Sequence, residues 1–221
     1  EGLGFTASTP VEDLHINENS VDGATVGFVV PSDPDVSNDV VSDGLFTEAG
    51  TPTTYTTYNS SGADAGNTLG DWTVATGTAA HLNANGTNYD ETPLGGNTVH
   101  IRADSSITQT FDTQSGREYQ IVFAGSGYWT SNAGNASLRV SAGGTSADLD
   151  FGAKPADWDV TNNVLWQNRS VTFTADAATT ELSFLDVTTA ADGSGLFLAD
   201  IQVIDHDVNC FNLSFSINMQ A

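Results

Sequence analysis

Nine short runs of β-branched and aromatic residues recur between Asp71 and Asp205, each closed by turn residues: DWTVAT, NTVHIRA, SSITQTFDT, REYQIVFAG, ASLRVSAG, SADLDFG, NRSVTFTA, TTELSFLDVT and GLFLADIQVID. No stretch of the chain keeps apolar residues at i, i+3, i+4 and i+7 for three turns, which closes off helical burial. Strands this short and this evenly spaced need a second layer to cover their apolar faces, so the chain reads as an all-β, two-layer sandwich. At 221 residues it can bury a respectable core.

The alternation within the runs supports this. Tyr119, Ile121 and Phe123 share one face of their strand, as do Val171 and Phe173 of theirs. Strict alternation in GLFLADIQVID sets Phe197, Ala199, Ile201 and Val203 opposite Leu196, Leu198, Asp200 and Gln202. Both faces are then partly apolar at its start, which predicts a strand in the centre of a sandwich.

Charge narrows the function. Twenty-eight acidic residues, 21 of them Asp, stand against five basic ones, a formal charge of -23. Such a surface repels nucleic acid, and no basic stripe with interleaved aromatics offsets it. Two compatible readings remain: a saline habitat, or several oxygen-ligand calcium sites. Cys210 is the sole cysteine, so no intrachain disulfide and no Cys-rich zinc site can form. The longest apolar runs, such as VGFVV, fall far short of a membrane span. The chain opens without a basic segment and apolar core, and reads as a processed or excised piece. Five N-x-S/T triplets, at Asn59, Asn85, Asn135, Asn168 and Asn212, fit an extracellular or cell-surface location on a bacterium or archaeon.

Ahead of the nine runs lie LHIN (14–17) and ATVGFVV (24–30), joined by a turn at Asp22-Gly23, then an acidic loop, PSDPDVSNDVVSDG. A polar tract from Gly50 to Gly70 is broken by TYTTY.

Between about Asp43 and Asp205 the segments DGLFTEAG, DWTV, SITQTFDTQSGREYQIVFAGSG, the VTFTA run after Trp166, ELSFLDV and LFLADIQVID come one after another in a telling order. In this the chain resembles the galactose-binding-like jelly rolls, which include carbohydrate-binding modules and DUF642-type domains. The resemblance implies a jelly-roll sandwich and a structural calcium held between the first and last strands, with Glu48 and Asp200 at the matching positions. Glu48 is displaced by one residue through Thr47, and Ala199 replaces one acid of the usual pair.

INENSVDGATVGFVVPSDPD, residues 16–35, resembles the first strands of a cadherin repeat, in which a Glu and a D-x-D bind calcium. That likeness nominates Glu18, Asp33 and Asp35. VIDHDVN resembles the linker that ends such a repeat, adding Asp205, Asp207 and Asn209. Later cadherin strands are absent. The expected layout is cadherin-like amino-terminal strands over 1–42, a jelly roll over 43–205 and a carboxy-terminal strand over 206–221.

That last segment, FNLSFSINMQA, puts Phe211, Leu213, Phe215, Ile217 and Met219 on one face and polar residues on the other. An uncovered apolar strand is an aggregation hazard. It pairs with the amino-terminal strands of its own chain, adds to a neighbouring copy, or belongs to a longer array.

Catalytic motifs are missing: no G-x-S-x-G elbow, Gly-rich phosphate loop, H-E-x-x-H or paired Cys. His206 sits among acids in DHD, either a metal or acid/base cluster or, the commoner case, a solvated strand end. Asp148/Asp150 and Asp157/Asp159 have the i, i+2 spacing that suits calcium or an acid/base pair, surface acids being the commoner case. Sugar binding asks for exposed rings with polar side chains nearby. Tyr128, Trp129 and Trp158 fall in loop-like polar stretches and are the platform candidates, with Asn132 and Arg102 as partners, whereas Trp72 and Trp166 look like core. The expected function is an extracellular, non-catalytic carbohydrate-binding or adhesion module with structural calcium. The alternative is a fibre or matrix subunit that self-associates through its terminal strand.

Overall fold

The computed structural model describes residues 39–205 except 63–65, 85–88, 130–133, 162 and 189–193. Twelve strands form among them: β1 (Tyr55–Asn59), β2 (Thr68–Leu69), β3 (Trp72–Thr76), β4 (Thr78–Leu82), β5 (Thr98–Arg102), β6 (Ser106–Asp112), β7 (Glu118–Tyr128), β8 (Asn135–Ala142), β9 (Thr145–Ala153), β10 (Gln167–Thr174), β11 (Thr179–Asp186) and β12 (Gly195–Asp205). From β5 onward the chain mostly alternates between two antiparallel sheets. One has the order β1-β4-β5-β12-β7-β10, the other β2-β3-β6-β11-β8-β9. Stripped of β1–β4, the four-stranded halves 5-12-7-10 and 6-11-8-9 are the two sheets of a jelly roll. We call them sheets A and B.

Each of the nine sequence runs is a strand, and TYTTY is β1. Two strands escaped the sequence. β2 is only two residues long, and β4 (TAAHL) is buried from Ala79 through Leu82 on both faces, which erases alternation.

Between the sheets Trp72 is the pivot of the core. Its ring lies 5.7 Å from Phe46 and 5.9 Å from Phe184, and Phe184 meets Phe123 edge-on at 5.1 Å. The Trp72 indole N–H donates to the Asp43 carbonyl at 3.1 Å, so the largest core side chain also fixes the turn at 43–48. Ile107, Ile121, Leu138, Leu182 and Val203 fill the space around it and are fully buried. Burying each such side chain contributes about 1.5–3 kcal/mol.

β12 is central, as its composition predicts, but its faces are not those of strict alternation. Its register against β7 slips between Ala199 and Gln202, and Asp200 there has φ 56°. A bulge inserts one extra residue and turns the remainder of the strand over. Leu196 and Leu198 therefore face the core together with Ile201 and Val203, while Phe197 faces outward. Asp tolerates the left-handed region better than a β-branched residue would.

Residues 39–44 take over from β5 along the second half of β12. Asp39 bridges Ile204, the Val40 amide donates to the Val203 carbonyl at 2.9 Å, and the Ile201 amide donates to the Gly44 carbonyl at 3.0 Å. A Cβ on Gly44 would sit 1.8 Å from the Ile201 carbonyl oxygen, so this clasp requires glycine.

Candidate functional site

Sheet A has an outer face that the sandwich does not use, and its two halves differ. Over β4, β5 and the start of β12 it is covered: Ala80, Leu82 and Phe197 pack under Tyr89, Trp158, Val160, Val164 and Trp166. Over β7, β10 and the end of β12 it is bare, and there lies a groove of about 450 Å³.

The register explains its floor. Val122 stands between Gln202 on β12 and Ser170 on β10, and Ala124 stands between Ala199 and Asn168. Gln120, two residues along β7 from Val122, continues the same face. Small apolar groups thus run down the middle, Ala124 and Ala199 buried at one end, with the amides of Gln202 and Asn168 and the Ser170 hydroxyl on the flanks. Pro93 and Leu94 form one wall, with the Leu94 side chain 62% exposed. β10 is the last strand of the sheet, so no further strand bounds the opposite side.

The wall is held by Asp200. Its Oδ2 accepts the Leu94 amide at 3.0 Å across 106 residues of sequence, the bulge having turned the carboxylate toward that loop. Burial raises the pKa of Asp200, an effect opposed by the Leu94 amide and the neighbouring Thr92 side chain. The Thr92 hydroxyl itself donates to the Gly96 carbonyl at 3.4 Å, leaving Asp200 Oδ1 buried without a hydrogen-bond partner.

A second carboxylate lies on the clasp. Asp43 Oδ1 accepts the amides of Thr47 at 2.6 Å and Glu48 at 3.0 Å, which closes the 43–48 turn. Its Oδ2 is buried and unpartnered, packed where a Cβ on Gly70 would fall. Asp43, Phe46 and Asp200 all have positive φ, so three of the four non-glycine left-handed residues among the described residues gather at this turn and bulge.

Comparison with known proteins places the chain. The family described as "Protein of unknown function (DUF642)" matches residues 39–197, well over half of its length. The chain belongs to the DUF642 family. No curated protein matches it. Among solved structures it is similar to TmCBM61 in complex with beta-1,4-galactotriose, at 15% identity over 76% of this chain and 99% of that chain, TM-score 0.43. It is also similar to a family 35 carbohydrate-binding module from Clostridium thermocellum, at 13% identity over 69% of this chain and 99% of that one, TM-score 0.41. A family GH115 4-O-methyl-alpha-glucuronidase, BtGH115A, aligns at 10% identity over 52% of this chain and 15% of the enzyme's length, TM-score 0.40.

In this DUF642 domain the sequence-predicted platform is built differently from expectation. Trp129 is 3% exposed and belongs to the interior. Its ring lies over Gly127, where a Cβ would come within 2.2 Å, so the glycines that suggested a loop instead lengthen β7 and make room for a core ring. Trp158 is half-buried and caps the end of β7, edge-on to Trp129 at 5.6 Å and to Tyr128 at 5.8 Å, with the Lys154 ammonium 5.1 Å from its ring. Tyr128 packs on His100 at 4.3 Å and on Phe197 at 5.1 Å. Burial, with the charge of Arg102 adding, pushes the His100 imidazole down to about 3, so it is neutral at physiological pH. Arg102 itself is exposed at the end of β5. Trp166, expected in the core, lies instead over the outer face, its indole N–H donating to the Glu91 carbonyl at 3.0 Å.

Of the metal candidates, Glu48 is exposed, and Asp205 is ion-paired with Arg117 at 2.8 Å. No group of three or more His, Cys, Asp or Glu side chains that could hold a metal ion occurs among the described residues. Asp148 is held by Arg139 through two bonds of 2.7 and 2.8 Å, and Asp150 accepts from Asn135 and from the Gly152 amide, the roles of surface acids. Glu18, Asp33, Asp35, Asn132, Asp207 and Asn209, with the cadherin-like and carboxy-terminal segments, lie outside the described residues. No helix among the described residues is long and apolar enough to cross a membrane.

Proposed function

We propose that this protein is an extracellular, non-catalytic carbohydrate-binding module. The observation that carries the reading is the groove on the outer face of sheet A, with apolar Val122 and Ala124 flanked by Gln120, Gln202, Asn168 and Ser170. A sugar ring presents C–H faces and a rim of hydroxyls. Amide side chains both donate and accept, which suits groups that do the same. Asp200 is the one carboxylate lining the groove among the described residues, whereas glycoside hydrolysis ordinarily uses two flanking the bond to be cut. Binding without turnover fits that count. The extracellular assignment rests on the Asp excess and the N-x-S/T triplets.

Structural calcium is part of the proposal. The buried, unpartnered Asp200 Oδ1 and Asp43 Oδ2 flank the clasp at Gly44 and Ile201, and an oxygen-seeking cation fits such orphaned acceptors. Asp200, Asp43 and neighbouring carbonyls would hold the ion, with Glu48 near the surface of the same turn. Bound there, calcium would supply positive charge to these two carboxylates.

The test is a glycan array followed by calorimetry. Gln120→Ala combined with Gln202→Ala should weaken the best ligand by roughly tenfold or more, with the melting temperature unchanged. A protein that binds no glycan, or a double variant with wild-type affinity, contradicts the proposal.

A further inference from the structure

We infer that the groove takes an uncharged sugar chain laid along β7 and rejects chains bearing carboxylate or sulfate groups. The inference rests on the reading of the groove as a glycan site and adds the class of glycan.

The argument is electrostatic. Arg169 is the only cation lining the groove among the described residues. Its guanidinium is turned away from the outer face: one terminal nitrogen donates both to the Asp150 carbonyl at 2.9 Å and to Gln167 Oε1 at 2.5 Å, the ring of Phe151 lies 5.1 Å from it, and Nε, which has no hydrogen-bond partner, is buried out of a ligand's reach. These partners belong to the inward side of β10 and to β9, away from the outer face. The other charge on the lining is Asp200, which is negative; a calcium ion shared with Asp43 would set two positive charges against two carboxylates and leave no net positive charge to hold an anion. An anionic sugar entering here would shed hydration and meet no cation turned toward it to replace that hydration. It would also approach a chain of formal charge -23. A neutral ring meets no such barrier.

The register sets the orientation. Val122 is the apolar position of β7 that solvent reaches, Ala124 beyond it being buried, and polar positions flank Val122 on β12 (Gln202) and β10 (Ser170), with Asn168 and Gln120 continuing the polar rim along the strands. A chain along β7 sets a ring face on Val122 and hydroxyls against Gln202 on one side and Ser170 and Asn168 on the other. Crossing the strands would put hydroxyls over Val122.

The experiment compares retention of the protein by neutral polysaccharides (β-glucan, xylan, galactan) and by anionic ones (polygalacturonate, alginate, chondroitin sulfate) in affinity gels at low and high salt. Wild type should bind at least one neutral polymer with an affinity that salt does not change, and none of the anionic ones. Ser170→Arg fills the groove from an exposed edge-strand position and adds a free cation, so it should abolish neutral binding and gain salt-sensitive binding to polygalacturonate. Its melting temperature controls for folding. Wild-type binding to an anionic polymer overturns the inference while leaving the glycan reading intact. Binding to neither class overturns the glycan reading itself. Neutral binding that survives Ser170→Arg places the ligand elsewhere and overturns the inference too.

Discussion

Asp186 offers a measurable test of how the sandwich handles a buried charge. It ends β11 on the inward face, fully buried, and its Oδ1 accepts the Thr188 amide at 2.6 Å while Oδ2 has no hydrogen-bond partner. Burial, with the charge of Asp104 as a smaller cause, lifts its pKa from 3.8 to about 6. A carboxyl whose folded pKa lies above its unfolded value is protonated more readily when folded. Its ionisation therefore costs stability as pH rises between those two values, and the cost is complete above them. About two pKa units correspond to about 3 kcal/mol. Asp186→Asn keeps an acceptor for the Thr188 amide and removes the charge. Its amide nitrogen introduces a penalty of its own, but that penalty does not change with pH. Urea unfolding of both proteins from about pH 4 to about pH 8 should show the stability of the variant, relative to wild type, rising by about 2.5 kcal/mol across the interval, the rest having been incurred below about pH 4. Acids that do not act on Asp186 are common to both proteins and cancel in the comparison, leaving only the smaller effect of Asp104. A difference that stays constant with pH would refute the reasoning.

Gly44→Ala should cost more than about 3 kcal/mol, because its Cβ would meet the Ile201 carbonyl oxygen at 1.8 Å. Gly50→Ala, at φ 77° but with nothing within 4 Å, should cost only about 1 kcal/mol, and thermal melts of the two read the difference. Asp200→Asn preserves the left-handed bulge that Asn also tolerates, yet removes the charge from the bond to the Leu94 amide. With calcium removed by a chelator, glycan affinity should fall several-fold in this variant and lose its pH dependence, whereas wild-type affinity should fall as acid protonates Asp200 through its raised pKa. Calcium should raise the wild-type melting temperature and leave that of Asp43→Asn combined with Asp200→Asn unmoved. Equal responses in the two proteins would remove Asp43 and Asp200 from the calcium proposal.

The strands were legible because apolar residues alternate within them and turn residues close them, as in β6, β10 and β11. β4 was not, because both of its faces are covered and nothing polar marks the outward one. The bulge was hidden as well: one left-handed residue at Asp200 reverses the facing of everything after it, and Asp-Ile-Gln-Val looks regular on paper. The groove could not be read at all. Gln120, Asn168, Ser170 and Gln202 are ordinary outward polar residues of three strands, and only the order β12-β7-β10 sets them side by side. Asp200 was nominated as a calcium ligand, and its hold on the Leu94 wall had no sequence signal, since 106 residues separate the two. Trp129 misled for a local reason. Gly125 and Gly127 suggested a loop, but a Cβ at either would strike the Phe151 or Trp129 ring, so their task is clearance inside a strand.

Nitrogen-15 NMR during titration with the best neutral oligosaccharide addresses the central claim most directly. The side-chain amides of Gln120, Asn168 and Gln202 and the backbone amides of Val122, Leu94 and Ser170 should shift together and saturate with one affinity. Shifts confined to the loops around Tyr128 and Trp158, with those of the groove unmoved, would contradict the account.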